Sequence, residues 1–226
     1  SHLNMETPPA PGAYMGGGEP AWSEPREGRR GRPPPRPPFP VTHGYLGQPT
    51  TVNNVETLAL AALIAVKGGE WFRAIGTPAS TGTKLLSVSG DVERPGIYEF
   101  PFGVTVAEVL AAAGANDTQA VTTAGAAGSC LAADEFGRHI AFEDVPTGGS
   151  IMVFDRSRDM FEVARNFAHF FAHESCGFCT PCRVGTAVNA RLLDKLANDH
   201  GSPYDLDEME KMHRLMQGAS HCGLGN

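Results

Sequence analysis

Cys176-Gly177-Phe178-Cys179-Thr180-Pro181-Cys182 is the stretch on which the reading of this chain turns. Three cysteines, each separated from the next by two residues, let one loop wrap its thiolates around a corner of a cubane cluster. A fourth ligand must come from elsewhere. Cys222, in Ser220-His221-Cys222-Gly223-Leu224-Gly225, is placed to supply it. The thirty-nine residues between Cys182 and Cys222 suffice for two antiparallel helices that return the chain to the loop. Four thiolates are the usual ligands of a [4Fe–4S] cluster. The bland alternative is a zinc site of four cysteines, which more typically uses two separated C-x-x-C pairs. The unbroken triple spacing favours iron–sulfur. Gly177 permits close approach of backbone to sulfur, and Pro181 stiffens the loop. Arg183 is placed to offset the negative charge of such a cluster, whereas His173 and His221 read as ordinary loop residues.

Around this loop the pattern is helical. Met160, Val163, Ala164, Phe167, Ala168 and Phe171 recur at helix spacing and predict an apolar stripe read as core. Val184, Val188, Leu192 and Leu196 mark a second helix. Asp205 with Glu208 predicts the cap of a third, whose inner face carries Met209, Met212 and Met216. Three such helices make a small bundle.

Residues 84–154 predict a small α+β domain. Leu86, Val88 and Gly90 alternate with polar residues, as in a half-buried strand. Pro95-Gly96 fits the centre of a type II turn, with a second strand over Ile97 to Phe100. Thr105 and Glu108 form a capping-box signature, so a helix begins at Val106 and closes at Gly114. Further strands fall near Val121 to Thr123 and Ser150 to Phe154. This order is that of a β-grasp, ubiquitin-like module, and Cys130 within it reads as a buried core thiol.

Upstream, Val55 to about Ile75 is helical in pattern, with Leu58, Ala61, Leu63 and Val66 on one buried face and Gly68-Gly69 ending the run. Residues 1 to about 50 are rich in Pro, Gly and Arg. The run Pro33 to Pro38 predicts polyproline II.

The chain has 226 residues, 41% of them hydrophobic, and a formal net charge of −7. Such a charge argues against non-specific nucleic-acid binding, which needs a surplus of Lys and Arg. The longest apolar run, Leu58 to Val66, is too short to span a bilayer, so no membrane insertion is expected. Clustered thiols without a signal-peptide pattern point to a reducing, cytoplasmic setting.

These residues resemble a family. Glu174-Ser175-Cys176-Gly177-x-Cys179-Thr180-Pro181-Cys182-Arg183-x-Gly185 is similar to the cluster loop of the NADH-oxidising flavoprotein subunit of respiratory complex I. The same subunit type serves as diaphorase in NAD-reducing hydrogenases and NAD-dependent formate dehydrogenases. Thr51-Val52-Asn53-Asn54-Val55-Glu56-Thr57 resembles the family's flavin-contacting segment. Arg36-Pro37-Pro38-Phe39-Pro40 and Cys222-Gly223-Leu224-Gly225 also match. Gly44-Tyr45-Leu46-Gly47 and Trp71-Phe72-Arg73-Ala74-x-Gly76-Thr77-Pro78 look most like the hydrogenase branch.

The resemblance implies that FMN takes a hydride from NADH and passes electrons singly to the cluster and on to a partner. It implies FMN contacts at Val52, Asn53, Asn54 and Thr57, with Glu19 near the nicotinamide. Leu224 would lie between flavin and cluster, and Phe39 would stack on NADH. Asn54 equally fits a helix cap. The implied partners are a thioredoxin-like [2Fe–2S] subunit and further redox subunits.

The implied architecture is a remnant of an FMN-binding α/β domain with the Pro/Gly-rich segment (1–82), a β-grasp SLBB-like domain (83–155) and a helical iron–sulfur domain (156–226). The family's glycine-rich flavin loop and following acidic segment have no counterpart here. At Gly12 to Glu19 the family's usual Cys and second Glu are replaced. The expectation is the C-terminal portion of a longer subunit, truncated or divergent, in which FMN and NADH binding is weak or lost. A docking scaffold with a zinc or empty site, and a β-grasp small-ligand module, are the competing classes.

Overall fold

The computed structural model describes residues 12–17, 24–29, 31–33 and 36–226. The chain divides into two compact units, residues 53–160 and residues 1–52 with 161–226.

The first unit is built on a five-stranded sheet: β1 (Thr83–Gly90), β2 (Gly96–Pro101), β3 (Thr118–Thr122), β4 (Cys130–Ala132) and β5 (Ser150–Asp155). Their order is β2-β1-β5-β3-β4, with β1 and β5 parallel and the other pairs antiparallel. A central parallel pair flanked by hairpins is the β-grasp arrangement expected from the sequence. The period-two alternation of β1 sends Leu86 and Val88 inward. There they meet Val121, Ile151 and Val153 of the sheet and Val106, Val109 and Leu110 of the crossing helix.

Three α-helices complete this unit: α1 (Val55–Lys67), α2 (Gly69–Arg73) and α3 (Val106–Ala113). Helix α3 begins at the predicted capping box. The Glu108 carboxylate accepts from the Thr105 N–H at 2.8 Å, and Thr105 Oγ1 accepts from the Glu108 N–H at 3.2 Å. It ends at Gly114 in the left-handed region, φ 69°.

Three expectations fail in this unit. Gly96 is not at positive φ and starts β2, so no type II turn sits at Pro95-Gly96. The Arg94 side chain instead donates to the Ala111 and Ala112 carbonyls and shapes the loop. Cys130 is exposed, because the three-residue strand β4 turns only Leu131 inward. Helix α1 forms as expected, but Val55, Leu58, Leu63 and Val66 are exposed rather than buried. Its tie to the unit is polar: Glu56 accepts from the Leu85 N–H at 2.8 Å and pairs with Lys84.

The other unit holds the three predicted C-terminal helices, α4 (Met160–Glu174), α5 (Thr180–Ala197) and α6 (Pro203–Ala219). The aromatic stripe of α4 is half-buried rather than core. Tyr14 packs edge-on against Phe170, centroids 5.1 Å apart, and its N–H donates to Glu174 at 2.9 Å. Helices α4 and α5 are joined by His169 and Asp194, 2.8 Å apart. The cap of α6 lies at Ser202 rather than Asp205. Asp205 sits one turn in, where its carboxylate accepts from the Ser202 N–H at 2.7 Å and binds Lys195 of α5 at 2.7 Å. Met216 is buried and Met209 and Met212 half-buried, as their spacing predicts. On α5, small residues rather than Val184 take the buried face: Cys182, Gly185, Thr186 and Ala190.

Of the run expected to be polyproline II, residues 34–35 lie outside the described residues, and residues 36–38 are bent rather than extended. Among the described residues no helix is long and apolar enough to cross a membrane.

Candidate metal centre

The four predicted cysteines converge. Cys176 and Cys179 lie in the loop after α4, Cys182 in the first turn of α5 and Cys222 just past α6. All four line one small cavity, with Pro33, Phe178 and Leu224 among its walls.

Local backbone needs explain the sequence around it. Gly177 sits at φ 74°, where a side chain would be strained. Pro181 occupies the first turn of α5, where its missing N–H costs nothing. A Cβ on Gly225 would stand 2.8 Å from the Cys182 Cβ and 2.5 Å from Ser220 Oγ, so only glycine lets the returning chain close over Cys182.

Polar contacts hold the loop. The Arg183 guanidinium donates to the Gly177 carbonyl at 2.6 Å and to Thr180 Oγ1 at 3.2 Å. The Cys182 carbonyl accepts from Thr186 Oγ1 at 2.8 Å. His221 is exposed and packs edge-on against Phe178, centroids 5.3 Å apart. The Arg32 guanidinium lies over the Phe178 ring, 4.8 Å from its centroid.

Electrostatics fit a cationic guest. Burial pushes the Cys182 thiol up, the Ser175 hydroxyl works against it, and the neighbouring Cys179, Cys222 and Cys176 push it further up. Four thiolates in one apolar-walled cavity repel one another unless positive charge sits among them. The irons of a cluster supply that charge. The Ser220 hydroxyl, buried without a protein partner, stands beside the same site. Among the described residues no three His, Cys, Asp or Glu side chains close on a point that would hold one ion. Four cysteine thiolates are the usual donor set of a [4Fe–4S] cluster, so the residues present fit one.

The residues expected to contact flavin and nucleotide fall in both units. Asn54 Oδ1 accepts from the Glu56 N–H at 2.8 Å and caps α1, as its alternative reading predicts. Asn53 and Thr57 are exposed beside it. Val52 and Phe39 are exposed in the other unit, where the Phe39 carbonyl accepts from the Thr42 hydroxyl at 2.9 Å. Leu224 lines the cysteine cavity. Glu19 lies outside the described residues. Sequence reasoning missed Ser175, Pro33, Phe178 and Arg32 as neighbours of the site. Only Ser175 had a local signal, a hydroxyl directly before the first cysteine.

Comparison with known proteins agrees with this geometry. Residues 162–226 match the NADH-ubiquinone oxidoreductase-F iron–sulfur binding region, and residues 85–124 match the SLBB domain. The chain thus combines a region similar to the SLBB domain with a helical region similar to that iron–sulfur binding region. It is homologous to part of the NAD-reducing hydrogenase HoxS subunit alpha of Cupriavidus necator, at 47% identity over 95% of this chain and 36% of that protein. It is likewise homologous to part of an NADH-quinone oxidoreductase subunit of Escherichia coli, at 38% identity over 93% of this chain and 50% of that protein. A crystal structure of NAD+-reducing [NiFe]-hydrogenase in the H2-reduced state matches 96% of this chain and 38% of that chain, with a TM-score of 0.93 and 49% identity. The chain spans between about a third and a half of the length of these relatives.

Proposed function

We propose that this chain is the SLBB and iron–sulfur portion of a diaphorase-type subunit, and that Cys176, Cys179, Cys182 and Cys222 together bind one [4Fe–4S] cluster. The observation that carries this reading is the convergence of those four cysteines, from three points of the chain, on one cavity. When bound, the cluster supplies one-electron carriage. The protein's own groups hold and shield it: four thiolates ligate, Arg183 braces the loop, and Pro33, Phe178 and Leu224 keep water away.

In the complete assembly, electrons would enter from NAD(H) as a hydride to FMN and leave singly through the cluster. Asn53, Asn54, Thr57 and Val52 would line the flavin's side, Glu19 and Phe39 the nucleotide's. The functional division would run 1–82, 83–155 and 156–226. The proposed acceptor is a thioredoxin-like [2Fe–2S] subunit of a hydrogenase, formate dehydrogenase or complex I-like complex, working in the cytoplasm.

The test is anaerobic reconstitution followed by reduction and electron paramagnetic resonance, with FMN added in a parallel sample. The expected result is a reduced-cluster signal in every sample and weak flavin binding by this chain alone. A parent protein that gives no paramagnetic signal after reconstitution contradicts the reading.

A further inference from the structure

Ser175 Oγ lies 3.3 Å from Cys182 Sγ. The Gly177 N–H approaches the same Oγ at 3.4 Å and so occupies its acceptor side. Both ends of this contact are anchored. The Ser175 N–H donates to the Phe171 carbonyl at 3.0 Å, continuing α4, and Cys182 is fixed in α5 through Thr186. Between a free thiol and a hydroxyl, either group can donate. A cysteine sulfur bound to iron has no proton and can only accept, so the Ser175 proton must fill the contact.

We infer that Ser175 donates a hydrogen bond to the ligand sulfur of Cys182 and thereby raises the reduction potential of the cluster, acting as a positioning residue. The inference rests on the reading of the four cysteines as cluster ligands. Its physics is charge. One-electron reduction places more negative charge on the cluster and its sulfurs, and a donor aimed at a sulfur binds the more negative state more strongly. The reduced state gains more than the oxidised one, so the potential rises. Arg183 is engaged with the Gly177 carbonyl and Thr180.

The experiment compares anaerobically loaded wild type, Ser175→Ala and Ser175→Thr. Iron and sulfide are counted, the one-electron midpoint is titrated by paramagnetic resonance, and exchangeable protons at the cluster are sought by electron–nuclear double resonance in H2O and D2O. The alanine variant is expected to keep its iron, lose one exchangeable coupling and hold its electron roughly three- to tenfold less tightly, tenfold being ~59 mV for a one-electron couple. Threonine is expected to retain the coupling and most of the potential. An alanine variant with full iron and an unchanged midpoint overturns the inference and leaves the cluster reading standing. Should alanine lose the cluster, the threonine and wild-type samples decide: a shared exchangeable coupling supports the inference, and its absence overturns it. Wild type without iron and sulfide overturns both.

Discussion

Gly185 of α5 lies directly against Met216 of α6: a Cβ on the glycine would overlap the methionine sulfur and stand 3.2 Å from the sulfur of Met212. This close approach sets the path of α6, and Cys222 follows α6 by three residues. The fourth cysteine therefore reaches the loop because a glycine faces a methionine one helix away.

Gly185→Ala should push the two helices apart. Overpacking of this kind costs about 1–3 kcal/mol, although Ala gains roughly 1 kcal/mol of helix propensity over Gly. The net expectation is a modest loss of stability with a larger loss of iron. Thermal unfolding and iron content of the same sample check both.

Cys222→Ala should remove a ligand and take iron content from about four per chain to below about one. Cys130→Ala should leave iron unchanged, because Cys130 is exposed on the edge strand β4 of the other unit. Parallel iron and sulfide assays of the two variants separate a ligand thiol from a bystander.

Asp205 predicts a pH dependence. The Lys195 ammonium, and then Ser202, hold its carboxyl below the usual carboxylate range, against the opposing effect of burial. A carboxyl depressed in the folded state adds stability that is present above the unfolded value of about 3.9 and lost as pH falls through the folded value. Asp205→Asn should therefore lower the melting temperature at pH 7, and the gap from wild type should narrow as the pH falls below the unfolded value of about 3.9. Circular-dichroism melts across that range measure the gap.

Leu86 is fully buried at the centre of the β-grasp core. Leu86→Ala leaves a cavity there and should cost roughly 2–5 kcal/mol, read by denaturant unfolding of the chain.

Much of this was legible from local sequence. Leu86 and Val88 alternate with the period of a strand, and Thr105 and Glu108 cap and Gly114 stops a helix through contacts within a few residues. The cysteine loop was legible for the same reason, and Cys222 because a helical hairpin has a defined reach. The misses depend on what lies opposite. The apolar positions of α1 follow helix spacing, but no burial within the unit covers them. Cys130 faces out because Leu131 takes the single inward place of a short strand. Gly96 became strand once Arg94 tied the preceding loop to α3. The Ser175–Cys182 contact needed a helix end and a helix start to meet, which spacing does not reveal.

Whether the four cysteines hold one iron–sulfur cluster is tested most directly by iron, zinc and acid-labile sulfide measured per chain on anaerobically prepared protein. The expected result is about four irons and four sulfides with no stoichiometric zinc; one zinc per chain without sulfide would contradict the assignment.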